Sequence, residues 1–262
     1  MSSLNILCVG DVVGKPGRKV IENHLSEIQE EHNIGFTIIN VENSAGGFGI
    51  TPKIYYELLE LDIDVFTSGN HIYCNKDILR KFDEYEKLLR PLNFPKGNPG
   101  AGYLICHKDK YKIAVVNLIG RVFVGEYDCP FQAMENYLDE IKKITPNIII
   151  DFHAETTSEK QAMGWFMNGQ ASLVFGTHTH VMTVDSRILN KGTGYISDIG
   201  MVGPNDGVLG MKKEPIINKF FTQMPVRFEP EKDSEMVFNA VKCTIDTQTG
   251  RALNIKKIIK LY

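Results

Sequence analysis

Five short apolar runs, at residues 6–9, 36–41, 64–67, 148–150 and 171–175, constrain this chain more than any other feature. Each gives way at once to polar residues: Asp11, then Glu42-Asn43, Asn70-His71, His153, and His178 with His180. Runs this short, bounded by glycine and polar residues, read as buried strands. Between them lie stretches with helical spacing. At 18–31, Val20, Ile21, Leu25 and Ile28 share one face. At 51–61, Thr51 supplies an N-cap and Pro52 a first-turn proline. Residues 75–89, 131–144 and 158–167 carry the same period. Alternation of the two periods predicts parallel βαβ units. In open α/β sheets, sites form outside the carboxyl ends of the strands, so the five polar loops should meet on one rim.

The remaining chain is consistent with one domain over residues 1–262. Residues 102–107 and 112–118 read as a strand pair joined by a Lys108-Asp109-Lys110 turn. Residues 90–102, rich in Pro and Gly, read as an extended connection. The last third changes to short strands between Gly and Pro turns, a helix at 214–222, and a β-hairpin at 236–245 and 252–260. The glycine-rich turn at 10–17 suggests a phosphate loop but fails the pattern. Its glycine spacing is one residue short, and Pro16 stands where Ser or Thr is required.

Composition excludes several functions. With 29 Lys+Arg against 32 Asp+Glu, the net charge of -3 creates no basic field for nucleic acid or an anionic membrane. The five cysteines form no Cys-x-x-Cys pair, which is the usage of a reducing compartment, with Cys8 and Cys106 expected in core strands. No signal-peptide pattern opens the chain, and no apolar run approaches the ~20 residues of a membrane span. The expected location is cytoplasmic.

The residues closing the runs share a chemistry. They comprise two carboxylates, two carboxamides and four imidazoles, and in Gly176-Thr177-His178-Thr179-His180 two histidines one residue apart can turn toward one point. Imidazole is the commonest side-chain metal ligand. One polar residue after a strand is ordinary turn chemistry; five loops carrying only ligand types point to a metal site. The groups exceed the roughly four to six ligands of one divalent ion. Two ions sharing a carboxylate, about 3.5–4 Å apart, would use them all and would suit displacement at phosphorus.

The ordered motifs Gly10-Asp11-Val12-Val13-Gly14, Val41-Glu42-Asn43, Gly69-Asn70-His71, Asp151-Phe152-His153-Ala154-Glu155, Gly176-Thr177-His178-Thr179-His180 and Ser197-Asp198 resemble the calcineurin-like metallophosphoesterases, and more closely their bacterial YmdB-like phosphodiesterase branch. Arg90-Pro91-Leu92-Asn93-Phe94-Pro95 adds to the likeness, which spans essentially the whole chain. The wider superfamily has Asp-x-His in its first motif, where Val13 stands here, and Gly-Asp in its second, where this chain has Val41-Glu42. The YmdB-like branch shares both departures. The resemblance implies an α/β sandwich of metallophosphoesterase type, two mixed β-sheets flanked by helices. It further implies two divalent ions per chain, one held by Asp11, Glu42, Asn43 and His180, the other by Glu42, Asn70, His153 and His178, with Glu42 bridging. The implied activity is hydrolysis of small phosphodiesters, 2',3'- and 3',5'-cyclic nucleotide monophosphates, by a metal-bridging hydroxide. A homo-oligomer is also implied.

His71 follows the ligand Asn70 directly and is assigned as general acid, with orientation of substrate as the alternative. The oxygen-rich ligand set, with three histidines and no thiolate, favours Fe²⁺ or Mn²⁺ over a purely Zn²⁺ pair, Mg²⁺ remaining open. Arg121 and Thr156 are candidate substrate contacts. Glu155 could bond a ligand imidazole, Asp198 could support the ligands from behind, and Cys74 is read as incidental. His24, His32 and His107 are expected at the surface and Trp165 in packing. No long aromatic and basic groove is evident, which favours a small substrate over a nucleic-acid partner. Two rivals stand: a phosphomonoesterase or nuclease on the same site, and a regulatory nucleotide-binding protein whose turnover is incidental.

Overall fold

The computed structural model describes residues 3–108 and 110–262. In chain order the elements are β1 (Ser3–Val9), β2 (Asp11–Val12), α1 (Gly14–Glu31), β3 (Phe36–Asn40), α2 (Pro52–Leu59), β4 (Val65–Thr67), α3 (Lys76–Leu79), β5 (Tyr103–Lys108), β6 (Tyr111–Ile119), α4 (Pro130–Ile144), β7 (Ile148–His153), α5 (Thr157–Phe166), β8 (Leu173–Thr177), β9 (Arg187–Ile188), β10 (Gly194–Ile196), β11 (Met201–Pro204), α6 (Lys213–Thr222), β12 (Met236–Asp246) and β13 (Ala252–Leu261). The expected turn between β5 and β6 includes Asp109, which lies outside the described residues.

Two mixed sheets result. The first runs β2-β11-β12-β1-β3-β4, with β13 on the far edge of β12; β1, β3 and β4 are parallel, while β12 is antiparallel to β1, β11 and β13. The second runs β5-β6-β7-β8-β10-β9, parallel from β6 to β10 with an antiparallel strand at each edge. Strand alternation sorts the core into layers. Ile6, Cys8, Phe36 and Ile38 of the first sheet meet Ile113, Val115, Ile149 and Phe175 of the second between the sheets. Leu7, Val9 and Ile39 point the other way, onto the Val20, Ile21 and Leu25 face of α1. Ala114, Val116 and Ile150 pack outward on Met134 and Leu138 of α4 and Met163 of α5. This is the expected α/β sandwich. Among the described residues no helix is long and apolar enough to cross a membrane.

Several local expectations are revised. Helix α1 starts at Gly14 rather than Arg18. Gly17 explains why glycine recurs there: a Cβ at that position would sit 2.3 Å from the Val202 carbonyl oxygen, so its absence lets α1 lie on β11. Residues 75–89 are not one helix. Asn75 caps only the short α3, and a 3₁₀ turn at Phe82–Glu84 follows. Ile78, Phe82, Tyr85 and Leu89 keep the spacing of one helical face and are buried, but Leu88 and Leu89 run extended, bridged to Phe66 and Ala101. His24 is half-buried and stacks on Tyr262 with ring centroids 3.6 Å apart, and His32 is also half-buried. Trp165 is half-exposed with the Arg187 guanidinium over its ring, rather than packed in the core.

Candidate metal centre

The carboxyl ends of β3 and β4 in one sheet and of β7 and β8 in the other come together at one end of the sandwich, joined by Asp11 at the β1–β2 break. Every ligand candidate from the sequence lies there. Asp11, Glu42, Asn43 and His153 are buried, while His178 and His180 are partly exposed toward a cavity.

One cluster centres on His153 Nε2. Glu42 Oε1 lies 3.1 Å away, Asn70 Oδ1 3.2 Å and His178 Nδ1 2.9 Å. The ligand atoms of Glu42, His153 and His178 all lie within 4.8 Å of one another. The second cluster centres on His180 Nε2, with Asn43 Nδ2 at 3.0 Å and Asp11 Oδ1 at 3.9 Å. Ligation by Asn43 through oxygen requires its amide to turn over. Glu42 contributes to the first cluster through Oε1, while Oε2 accepts the His71 backbone N–H at 3.2 Å.

The charges fit a cation. Burial raises the Asp11 carboxyl, opposed by His180 and His153. Burial works against ionised Glu42 too, but His153, together with His71 and His178, offsets it and holds the carboxyl at about 2. Burial alone would lower His153; Glu42 and then Asp11 lift it to about 9. The position between these carboxylates therefore demands positive charge, from an imidazolium proton or from a metal ion that replaces it. His178 is pulled to about 3 by burial and by its neighbour His153, which leaves the neutral imidazole that ligation requires. Buried carboxylates, carbonyl oxygens and neutral imidazoles make a donor set suited to divalent ions.

The supporting residues fix which nitrogen faces the centre. His153 Nδ1 lies 2.9 Å from Thr177 Oγ1, and that hydroxyl donates to Asp151 Oδ1 at 2.7 Å. Asp151 Oδ2 also accepts from Thr67 Oγ1 at 2.5 Å and Asn40 Nδ2 at 3.0 Å. The hydroxyl's proton is committed to Asp151, so His153 donates from Nδ1 and aims Nε2 at the ligands. Burial, against these hydrogen bonds, leaves the Asp151 carboxyl at about 6. His180 Nδ1 faces the Leu209 carbonyl at 3.1 Å, which aims its Nε2 in the same way. His178 and His180 hold φ values of +97° and +63°, in the left-handed region that non-glycine residues rarely adopt. His178 N–H donates to Asp11 Oδ2 at 3.2 Å, and Thr179 donates to Asp198 Oδ2 from both its backbone N–H, at 3.1 Å, and its hydroxyl, at 2.7 Å. Gly69 has no side chain because there is no room: its Cβ would lie 2.1 Å from Glu42 Oε2 and 2.3 Å from the His153 ring.

His71 lines the cavity beside the ligands, with Nε2 3.2 Å from Asn70 Nδ2. Cys74, read as incidental, places Sγ 3.6 Å from His71 Nδ1. Glu155 reaches the imidazole of His178, with Oε2 3.1 Å from Nε2. The two candidate substrate contacts are not brought in. Arg121 is exposed and lines a separate cleft with Tyr127, Asp128 and Glu159. Thr156 precedes α5 with its hydroxyl buried and without a hydrogen-bond partner among the described residues, and it does not line the cavity. Thr177, Thr67 and Asn40 were not singled out by sequence. Their only signal there is a polar side chain inside an otherwise apolar strand.

Known proteins carry the same arrangement of chain. A Bacillus subtilis protein named 2',3'-cyclic-nucleotide 2'-phosphodiesterase is 46% identical over 256 residues, covering 98% of this chain and 97% of its own. A solved structure described as a novel phosphatase from Mycoplasma pneumoniae superposes with a TM-score of 0.93 at 34% identity, over 100% of this chain and 94% of that one. A hypothetical protein from Thermus thermophilus gives a TM-score of 0.92 at 33% identity, over 98% and 99%. A family model described as YmdB-like protein matches residues 7–258, and the chain belongs to that family.

Proposed function

We propose that this chain is a dimetal-dependent phosphodiesterase of small phosphodiesters, with 2',3'- and 3',5'-cyclic nucleotide monophosphates as substrates. The observation that carries this reading is the meeting of Asp11, Glu42, Asn43, Asn70, His153, His178 and His180 at one end of the sandwich, with His71 beside them at a cavity. The name of the Bacillus subtilis relative supports the 2',3'-cyclic substrate. Asp11, Asn43 and His180 would hold one divalent ion, Asn70, His153 and His178 the other, and Glu42 both, with Fe²⁺ or Mn²⁺ preferred by the donor set. The chemistry such ions supply when bound is a lowered proton affinity of water and neutralisation of charge at phosphorus.

His71 has the remaining task. A water oxygen forms the new bond to phosphorus and the bond to the leaving oxygen breaks. His71 gives its imidazole proton to that oxygen, and the proton shed by the attacking water restores it. The net change is one water added, giving a monoester and an alcohol. In a cyclic nucleotide both stay on one molecule. The backbone N–H of His71 donates to Glu42, so the acid is fixed relative to the shared ligand.

The test is His71→Ala assayed with 2',3'-cyclic AMP and with bis-p-nitrophenyl phosphate. Turnover is expected to fall by about 10²–10⁴-fold, the usual contribution of a general acid, with nucleotide binding retained. Equal losses of binding and rate would assign His71 to substrate positioning. Retained turnover would remove it from the mechanism.

A further inference from the structure

The cavity over the ligands has a floor and walls of opposite character. Its volume is about 360 Å³, within the ~300–1,000 Å³ usual for small-molecule sites. Glu42, Asn43, His71, His178 and His180 form the polar floor. The walls are apolar: Phe48 from the loop after β3, Leu209 and Met211 from the turn after β11, Phe220 from α6, and Phe228 beyond it. The one charged wall residue is Lys219, whose ammonium lies 4.8 Å over the Phe228 ring. Phosphate chemistry uses only the floor. Phe48 and Phe220 remain 41% and 74% exposed, so their rings are unused surface at the mouth of the catalytic centre.

We propose that Phe48 is a stacking platform for the nucleobase of a cyclic nucleotide, placed on the leaving-group side of the reaction. This deepens the proposed function and rests on it. The position follows from His71. The Phe48 ring stands edge-on to the His71 ring, with centroids 4.9 Å apart and planes at 89°. An acid that protonates the leaving oxygen must have the leaving skeleton beside it. In a cyclic nucleotide that oxygen belongs to the ribose, and the base hangs from the same ring. The base therefore lies next to His71, where Phe48 stands. The loop is built to present this ring: Gly46, Gly47 and Gly49 take φ values of +67°, +100° and +70°, which other residues rarely adopt. Phe220 is available on the α6 wall as a second apolar surface.

The walls carry almost no hydrogen-bonding side chains. They recognise that a base is present and not which base it is, because every base offers a π-face and stacking is tolerant of identity. One stacked base is worth on the order of tenfold or more in affinity.

The experiment compares kcat/KM for 2',3'-cyclic AMP with that for ribose 2',3'-cyclic phosphate, which lacks a base. The wild-type ratio is expected to exceed about tenfold, to fall by roughly that factor in Phe48→Ala through KM for the nucleotide, and to persist in Phe48→Tyr, which keeps the ring. Cyclic AMP, GMP, CMP and UMP of the 2',3' series should differ among themselves by less than the base-free compound differs from any of them. A wild-type ratio near one, or a ratio unchanged in Phe48→Ala, overturns the platform while leaving the phosphodiesterase reading intact. Hydrolysis of neither compound by the metal-loaded wild type overturns both.

Discussion

Lys160 Nζ lies 2.6 Å from Asp198 Oδ2, an ion pair buried beneath the loop that carries His178 and His180. The same carboxylate oxygen accepts both Thr179 donors, while Oδ1 accepts the Gly200 N–H at 2.8 Å. Helix α5 thus fixes the one residue between two histidines held at positive φ. Such backbone conformations cost about 1–3 kcal/mol each and persist only where surroundings enforce them. The pair is part of what enforces them.

Lys160→Met tests that role. It leaves Asp198 buried without its counter-ion, a loss of about 3–5 kcal/mol for a broken buried pair. The midpoint of urea denaturation should fall accordingly, and added Mn²⁺ should recover part of the loss by binding the native state. An unchanged midpoint would show that the Thr179 and Gly200 N–H groups and the Thr179 hydroxyl satisfy Asp198 without the lysine.

Thr177→Val keeps the shape of the side chain and removes the hydroxyl between His153 and Asp151. His153 then loses the partner that fixes its tautomer. Loss of such a supporting group weakens metal affinity or activity by roughly 10–100-fold. Metal titration of the variant, with circular dichroism as a control for folding, reads the effect directly. Affinity equal to wild type would mean that the Asp151 network serves stability only.

Gly69→Ala places a methyl group where Glu42 Oε2 and the His153 ring already sit. Glu42 must move, so the variant should bind less metal and lose activity in proportion. The measurement is metal per chain against residual diesterase rate. A fully loaded, fully active variant would show that the Glu42 carboxylate has freedom the structure does not suggest.

Acid stability has a separate contributor. Burial opposes ionisation of Asp185, but Ser197 and Thr183 donate to its carboxylate and hold it below the ordinary value. A lowered native pKa stabilises fully above the unfolded-state value, about 3.9, and that contribution is lost as pH falls through the native one. Asp185→Asn should therefore be less stable than wild type near neutral pH, with the difference narrowing below about pH 4. A constant difference across that range would contradict the assignment.

Much of this was legible in the sequence because strand and ligand signals coincide. The runs ending at Asp11, Glu42, Asn70, His153 and His178 are short and apolar, and their polar ends report where parallel strands deliver side chains. The region after Asn75 carries a helical period at Ile78, Phe82, Tyr85 and Leu89, yet only a short helix and a 3₁₀ turn form, because Leu88 and Leu89 are drawn into bridges with Phe66 and Ala101, partners that no local spacing announces. Asp151, Thr177 and Thr67 support the site from inside strands, and their partners lie in other strands, so no local spacing announces them. Arg121 follows β6 at the same end as the ligand candidates but lines a different cleft, its backbone N–H held by the Glu159 carboxylate, a long-range contact with no local signal.

The most direct test is elemental analysis of wild type and Glu42→Gln, purified without a His-tag, alongside hydrolysis of bis-p-nitrophenyl phosphate with and without Mn²⁺. A shared carboxylate in a two-metal centre predicts about two divalent ions per wild-type chain and diesterase activity, with both lost together in the variant. Full metal occupancy in Glu42→Gln would contradict the bridging role. A wild-type chain that binds no divalent ion and hydrolyses no diester would contradict the dimetal centre itself.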